Sequence, residues 1–140
     1  MNDASYAGDV MPAEAWKQLQ DNPEAVLVDV RTDAEWRFVG IPDLSPIGKQ
    51  VRLVEWQRYP DGRPNPDFVG EVAGMLEMDQ PVYFLCRSGA RSKAAAIAVT
   101  AMGYGPCYNV AQGFEGDKDG DSHRGRVGGW KHAGLPWRQD

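Results

Sequence analysis

Residues Cys86-Arg87-Ser88-Gly89-Ala90-Arg91-Ser92 stand between the apolar run Val82-Tyr83-Phe84-Leu85 and the alanine-rich stretch Lys93 to Met102, and this junction constrains the fold more tightly than any other stretch. Val82 to Leu85 is short, β-branched and aromatic, which suits a buried strand; Ala90 to Met102 is too long and too rich in alanine for one and predicts a helix. The succession is strand, tight loop, helix. Cys86 therefore falls at a strand's C-terminal end, beneath a helix N-terminus. Loop N–H groups point inward at such a junction, and the helix macrodipole adds partial positive charge there. Arg87 and Arg91 add to it, so negative charge on a ligand or on the Cys86 sulfur is favoured. The structural alternative is an inert cysteine closing a core strand. Two arginines flanking Gly89 argue against that, because a turn that merely connects needs neither.

A chain of 140 residues predicts one domain over 1–140, with a core spanning about residues 8–137 and no need of disulfides or metal. Hydrophobic content of 42% and charged content of 25% exclude wholesale disorder. The net charge of −5 is scattered, and no basic stripe invites nucleic acid. Anion binding must then come from Arg87, Arg91 and backbone amides rather than from the overall field. Met1 to Tyr6 is acidic and lacks a following apolar run, and no stretch approaches the ~20 apolar residues that span a membrane. With two cysteines in all, a reducing, cytoplasmic setting without membrane attachment is expected.

Before the loop, Pro12 to Gln20 predicts an amphipathic helix with Ala15, Trp16 and Leu19 on its buried face. Val26 to Val30 predicts a strand, with Thr32 or Asp33 capping a short helix beyond it. Asp29 and Arg31 emerge at that strand's C-terminal edge, and an ion pair holding the loops accounts for them better than a ligand does. Gln50 to Trp56 reads as a further strand and Tyr59 to Pro66 as a loop. Asp67 to Met78 reads as a helix with Asn65 as N-cap, Pro66 in the first helical position, and Met75 and Met78 filling gaps in the core. The Ala90 helix is apolar nearly all round and calls for burial, Gly103 closes it, and Cys107 to Val110 forms the last strand. Asp117, Asp119 and Asp121 alternate as in a calcium loop, but Ser122 and Gly128 replace the glycine and glutamate such a loop requires, so no metal is expected.

The loop resembles the active-site loop of the rhodanese family, Cys-Arg-x-Gly-x-Arg or Thr, with Cys86, Arg87, Gly89 and Arg91 in place. Asp29-Val30-Arg31 with Glu35-Trp36 resembles that family's N-terminal signature, and Gly129-Trp130 to Ala133-Gly134-Leu135-Pro136 resembles its C-terminus. The segment Val39-Gly40-Ile41-Pro42-Asp43 departs from the usual Gly-His-Ile-Pro-Gly-Ala, lacking the histidine and carrying Asp43-Leu44 for Gly-Ala. The resemblance implies a three-layer α/β/α domain with a five-stranded parallel sheet, and the alternation of strands near 8–10, 26–30, 50–54, 82–86 and 107–110 with helices supports it separately. In that arrangement Cys107 begins the strand beside the one Cys86 ends, more than about 10 Å away, too far for a disulfide. Cys107 is then a small buried hydrophobe.

By the same resemblance the chain is expected to be a thiosulfate-type sulfurtransferase without cofactor. Cys86 is the nucleophile that carries a persulfide, and Arg87, Ser88, Gly89, Ala90, Arg91 and Ser92 form the substrate cradle. Arg87 and Arg91 are candidates for gripping the donor's oxyanion, with bracing of the loop as Arg91's other role. The partners are a small sulfur donor and a thiol or cyanide acceptor, or a sulfur-relay protein. Two alternatives stand beside it: a persulfide carrier loaded by protein partners, and a phosphatase or arsenate reductase. Related phosphatases carry five residues between cysteine and arginine where this chain has four, which argues for sulfur. The family's C-terminal segment is also longer here, and Glu115 to Gly128 is expected to rim the site with His123, Arg124 and Arg126 near its entrance.

Overall fold

The computed structural model describes residues 5–139; of the acidic start from Met1 to Tyr6, read as lacking a leader, the first four residues lie outside them. In chain order the elements are β1 (Gly8–Val10), α1 (Pro12–Asp21), β2 (Val26–Asp29), α2 (Asp33–Phe38), β3 (Ile41–Pro42), β4 (Arg52–Leu53), β5 (Gln57–Arg58), β6 (Arg63–Pro64), α3 (Phe68–Ala73), β7 (Val82–Leu85), α4 (Ala90–Ala101), β8 (Cys107–Val110) and β9 (Trp137–Arg138). Five strands form one parallel sheet in the order β1-β8-β7-β2-β4. The strand that leads into Cys86 is therefore central and buried on both faces, as its unbroken apolar run requires.

Alternation along β7 divides the core. Val82 and Phe84 pack with Phe68 and Val72 of α3 and Ala95 and Val99 of α4. Tyr83 and Leu85 pack with Ala15 and Leu19 of α1 and with Phe114 and Trp130 of the C-terminal segment. Cys86, Cys107 and Asn109 lie on the α4 side or share its parity, while Val110 faces the other layer. Trp16 is half-buried and meets Trp130 edge-on at 5.9 Å, so it borders the core rather than filling it.

Several expectations are corrected. Of the stretch from Gln50 to Trp56, only Arg52 and Leu53 pair with β2, although Val51 and Val54 are buried on either side. The helix expected over 67–78 is six residues long, because Gly70 and Gly74 weaken its interior and end it. Pro66 precedes it, and Asp67 rather than Asn65 stands at the cap. Asn65 instead accepts from Asp67 N at 3.0 Å and donates to Glu55 O at 2.8 Å, shaping the approach to the helix. Met78 lies past the helix end and is 56% exposed, so only Met75 packs against the core. The α4 helix buries one side alone: Ser92, Ala95, Ala96 and Val99 face inward, and Ala90, Lys93 and Ala101 are exposed. Gly103 closes it as expected, with Gly103 N on Thr100 O and Tyr104 N on Val99 O.

Two small antiparallel ribbons lie outside the main sheet. β5 pairs with β6, so the stretch read as a loop contains a hairpin arm, and β3 pairs with β9. The second ribbon follows directly on Val39-Gly40, where the histidine expected from the resemblance is lacking. Gly40, at φ 108°, lies against the β9 backbone, where a Cβ would meet Arg138 O at 2.8 Å.

Candidate active site

The Cys86 residue is 1% exposed, and its sulfur has two polar neighbours: Gly89 N donates to it at 3.1 Å and Ser92 Oγ lies 3.2 Å away. Gly89 caps α4 at φ 117°, a left-handed conformation that aims its N–H back at the sulfur and that a side chain would strain. Among the described residues no other loop amide bonds the sulfur. The cradle around the resting thiol is narrower than a full ring of amides.

The carbonyl side of the loop is tied to the C-terminal segment. Phe114 N donates to Cys86 O at 2.8 Å, and Glu115 N and Gly116 N donate to Arg87 O at 3.0 and 3.2 Å. These bonds satisfy the Cys86 and Arg87 carbonyls and fix the start of the loop against the C-terminal segment. Gly113 makes the approach possible, because a Cβ there would overlap the Cys86 carbonyl and lie 2.6 Å from the Arg87 backbone.

Arg91 does not reach freely into the mouth of the site. Its Nη1 and Nη2 donate to Glu35 Oε1 and Oε2 at 2.7 and 3.0 Å, a two-bond fork between α4 and α2. Glu35 also accepts from Thr32 N at 3.2 Å and Thr32 Oγ1 at 3.1 Å, while Thr32 Oγ1 caps Glu35 N, so the helix cap and the arginine brace share one carboxylate. Burial alone would raise the Glu35 carboxyl, but the Arg91 hydrogen bonds and charge, with the Thr32 amide, hold it below the usual range. Arg91, opposed by burial, is held further toward its charged form by Glu35, Cys86 and Asp29.

Arg87 is different. It is exposed, forms no ion pair among the described residues, and lines a cleft of about 520 Å³ with Arg91, Arg124, Glu115, Val39 and Gln57. Arg124 is anchored there by donating to Gly116 O at 2.8 Å. Of the three rim residues expected from sequence, Arg124 alone lines this cleft. His123 is exposed with its backbone N on Asp119 Oδ1, and Arg126 pairs with Asp119 at 3.6 Å. Ser88 is half-buried and Ala90 exposed, and the Ser88 hydroxyl makes no hydrogen bond to the sulfur. A second cleft of about 400 Å³ shares Arg87, Glu35, Val39 and Gln57 with the first and continues past Ala34, Phe38, Tyr59 and Pro60.

Beneath the site, Arg31 and Asp29 are both fully buried and joined at 2.7 Å. Arg31 also donates to Gly40 O at 2.7 Å and stacks on the Phe114 ring at 4.2 Å. The pair holds loops, as expected, and supports the residue whose N–H ties Cys86 O. Cys107 sits beside Val82 in the sheet register, is free and 1% exposed, its sulfur reaches Tyr104 O at 3.5 Å, and burial pushes its thiol up.

Sequence reading missed Glu35 as Arg91's partner and missed Asn109, which is 5% exposed and accepts from Ser92 Oγ at 2.6 Å. The signals were present: Thr32 and Glu35 have capping-box spacing, and Asn109 is a polar residue inside an apolar strand.

A cysteine in a strand-to-helix loop at the C-terminal edge of a parallel α/β sheet stands where sheets of this kind bind ligands, beside a helix N-terminus that favours anions. The chain belongs to the family of the rhodanese-like domain, whose model matches residues 11–119. It is similar to the crystal structure of Rv0390 from M. tuberculosis, at 54% identity and a TM-score of 0.90, covering 97% of this chain and 100% of that one. An uncharacterized protein, RP600 homolog, of Rickettsia rickettsii is 38% identical over 131 residues, 92% of this chain and 95% of that protein. A sulfurtransferase of Allochromatium vinosum is 28% identical over 120 residues, 86% and 84% of the two chains. No helix among the described residues is long and apolar enough to cross a membrane.

Proposed function

We propose that the protein is a sulfurtransferase that works by double displacement through a persulfide on Cys86, with thiosulfate or a similar sulfane compound as donor. The Cys86 thiolate attacks the outer sulfur of the donor; a new S–S bond forms, the donor's S–S bond breaks, and the electron pair leaves with sulfite. A thiol or cyanide then attacks the outer sulfur of the persulfide and the Cys86 thiolate departs with its electron pair. No outside oxidant or reductant is needed. Arg87 and Arg124 are the free and anchored cations that receive the donor's sulfonate, Arg91 braces the loop, and Gly89 N with Ser92 Oγ steadies charge on the sulfur. Ser88 and Ala90 contribute backbone to the cradle, and the domain acts as one unit in a reducing, cytoplasmic setting.

The observation that carries this reading is the Cys86 sulfur, with Gly89 N donating to it and Ser92 Oγ 3.2 Å away, next in the chain to Arg87, which lines the cleft and forms no ion pair among the described residues. Intact-mass measurement after thiosulfate tests it, on wild type and Cys86→Ser. Wild type gains one sulfur and loses it to cyanide as thiocyanate; the variant gains none. A second reading, a persulfide carrier loaded by a protein partner, is favoured by Phe38 and Tyr59, which stand 79% and 69% exposed along the second cleft. That reading is adopted if a desulfurase loads Cys86 and thiosulfate does not.

A further inference from the structure

Ser92 Oγ has one proton and three acceptors within reach: Asn109 Oδ1 at 2.6 Å, Cys86 Sγ at 3.2 Å and Gly89 O at 3.2 Å. Which acceptor holds it is decided further along the chain of contacts. Asn109 Nδ2 donates to Asp9 Oδ1 at 3.0 Å, and an ionised carboxylate can only accept. Asp9 thus turns the amide so that its oxygen, not its nitrogen, meets Ser92. The sheet register enforces this, because Asp9 and Asn109 are directly paired neighbours on β1 and β8 and Ser92 lies on the helix that covers them. Tyr6 Oη donates to the same Asp9 oxygen at 2.8 Å and secures the carboxylate.

We infer that Asp9 and Asn109 are positioning residues that hold the Ser92 proton on Asn109, so the resting Cys86 sulfur is offered a lone pair instead of a donor. A thiol is compatible with that arrangement, since its S–H can donate to Ser92 Oγ, 3.2 Å away. A negatively charged sulfur is not, and to donate to it Ser92 must leave a short bond and orphan a buried carbonyl oxygen. The relay therefore withholds one of the two donors near the sulfur until charge on the thiolate or persulfide is strong enough to draw it over. This deepens the proposed role of Cys86 as nucleophile and rests on it. The charges around the loop are Arg87 and Arg91, Glu35 of α2 behind Arg91, Asp29 at the end of β2, and Glu115 and Arg124 of the C-terminal segment.

The test is the pH dependence of iodoacetamide alkylation at Cys86, read by mass, in wild type, Asn109→Ala, Asp9→Asn and each combined with Ser92→Ala. Asn109→Ala removes the competing acceptor, and Asp9→Asn frees the amide to flip and donate to Ser92. Both are expected to move the alkylation midpoint to lower pH, giving about tenfold more reactive thiolate on the acid limb, with Ser92→Ala cancelling the gain. Asp9 is at the surface, so its variant reports even if Asn109→Ala fails to fold. A midpoint that stays put or rises in Asp9→Asn, or a gain that survives Ser92→Ala, overturns the inference. Thiosulfate loading of the same variants is scored separately: loss of loading in wild type defeats the sulfurtransferase reading and leaves the alkylation result standing.

Discussion

Cys86 and Cys107 have the same exposure, 1%, are both free thiols, and stand one just past the end of β7 and the other at the start of its parallel neighbour β8. Burial does not tell them apart. Their neighbours do: the Cys86 sulfur meets an amide and a hydroxyl under arginines at a helix N-terminus, whereas the Cys107 sulfur reaches Tyr104 O at 3.5 Å among core side chains. The two sites also sit at opposite ends of their strands, so only one faces the crevice at the C-terminal edge of the sheet. What separates the two is which end of a strand each cysteine occupies and what the backbone does next.

The comparison is broken most severely by exchanging the two thiols' roles. Cys86→Ser is expected to abolish sulfur loading from thiosulfate, while Cys107→Ser loads as wild type does; mass after thiosulfate reads both. Next in size is Gly113→Ala. Its methyl must displace the Cys86 and Arg87 backbone, at a cost on the order of 3 kcal/mol, and denaturant unfolding together with loading checks it. Such a variant leaves the surroundings of Cys107 intact and strips Cys86 of what distinguishes it.

Glu35→Gln loosens the brace on Arg91 and is expected to cost about 2 kcal/mol near neutral pH. Because Glu35 is held below its ordinary value of 4.5 in the folded protein, its contribution is full above that pH and is lost as pH falls through the folded value. Stability against pH should therefore fall less steeply below 4.5 in the variant than in wild type. The smallest effect is expected from Cys107→Ala, about 1 kcal/mol from a small cavity. Burial raises that thiol above 9.0, so the unfolded chain ionises it first and wild-type stability declines as pH rises past 9.0; the variant should lose that component of the decline in alkaline unfolding curves.

The parts of this molecule legible in its sequence are those whose cause is local. β2, β7 and β8 announce themselves as short apolar runs, and the Cys86 loop as a junction between two patterns of different period. The buried Asp29–Arg31 pair is two residues apart and was equally visible. What stayed hidden is held by partners far along the chain. β3 and β9 are two-residue strands that exist only because Ile41 meets Arg138, and Arg91 finds Glu35 across 56 residues. The shortened α3 helix shows the reverse error: its apolar period continues to Leu76, but two glycines outweigh it. In the loop, sequence supplied the residues and only the structure separated Arg91, which is occupied, from Arg87, which is open.

The outermost strand β1 and the late strand β8 are neighbours in the sheet, and Asp9 meets Asn109 across 100 residues. On a ribosome adding about 5–20 residues each second, the first strand waits roughly 5–20 s for its partner. The clamp from Phe114 to Gly116 emerges later still, after Cys86 itself. Cys86 is thus made before it is finished: its sulfur acquires its settled surroundings only when nearly the whole domain has left the tunnel.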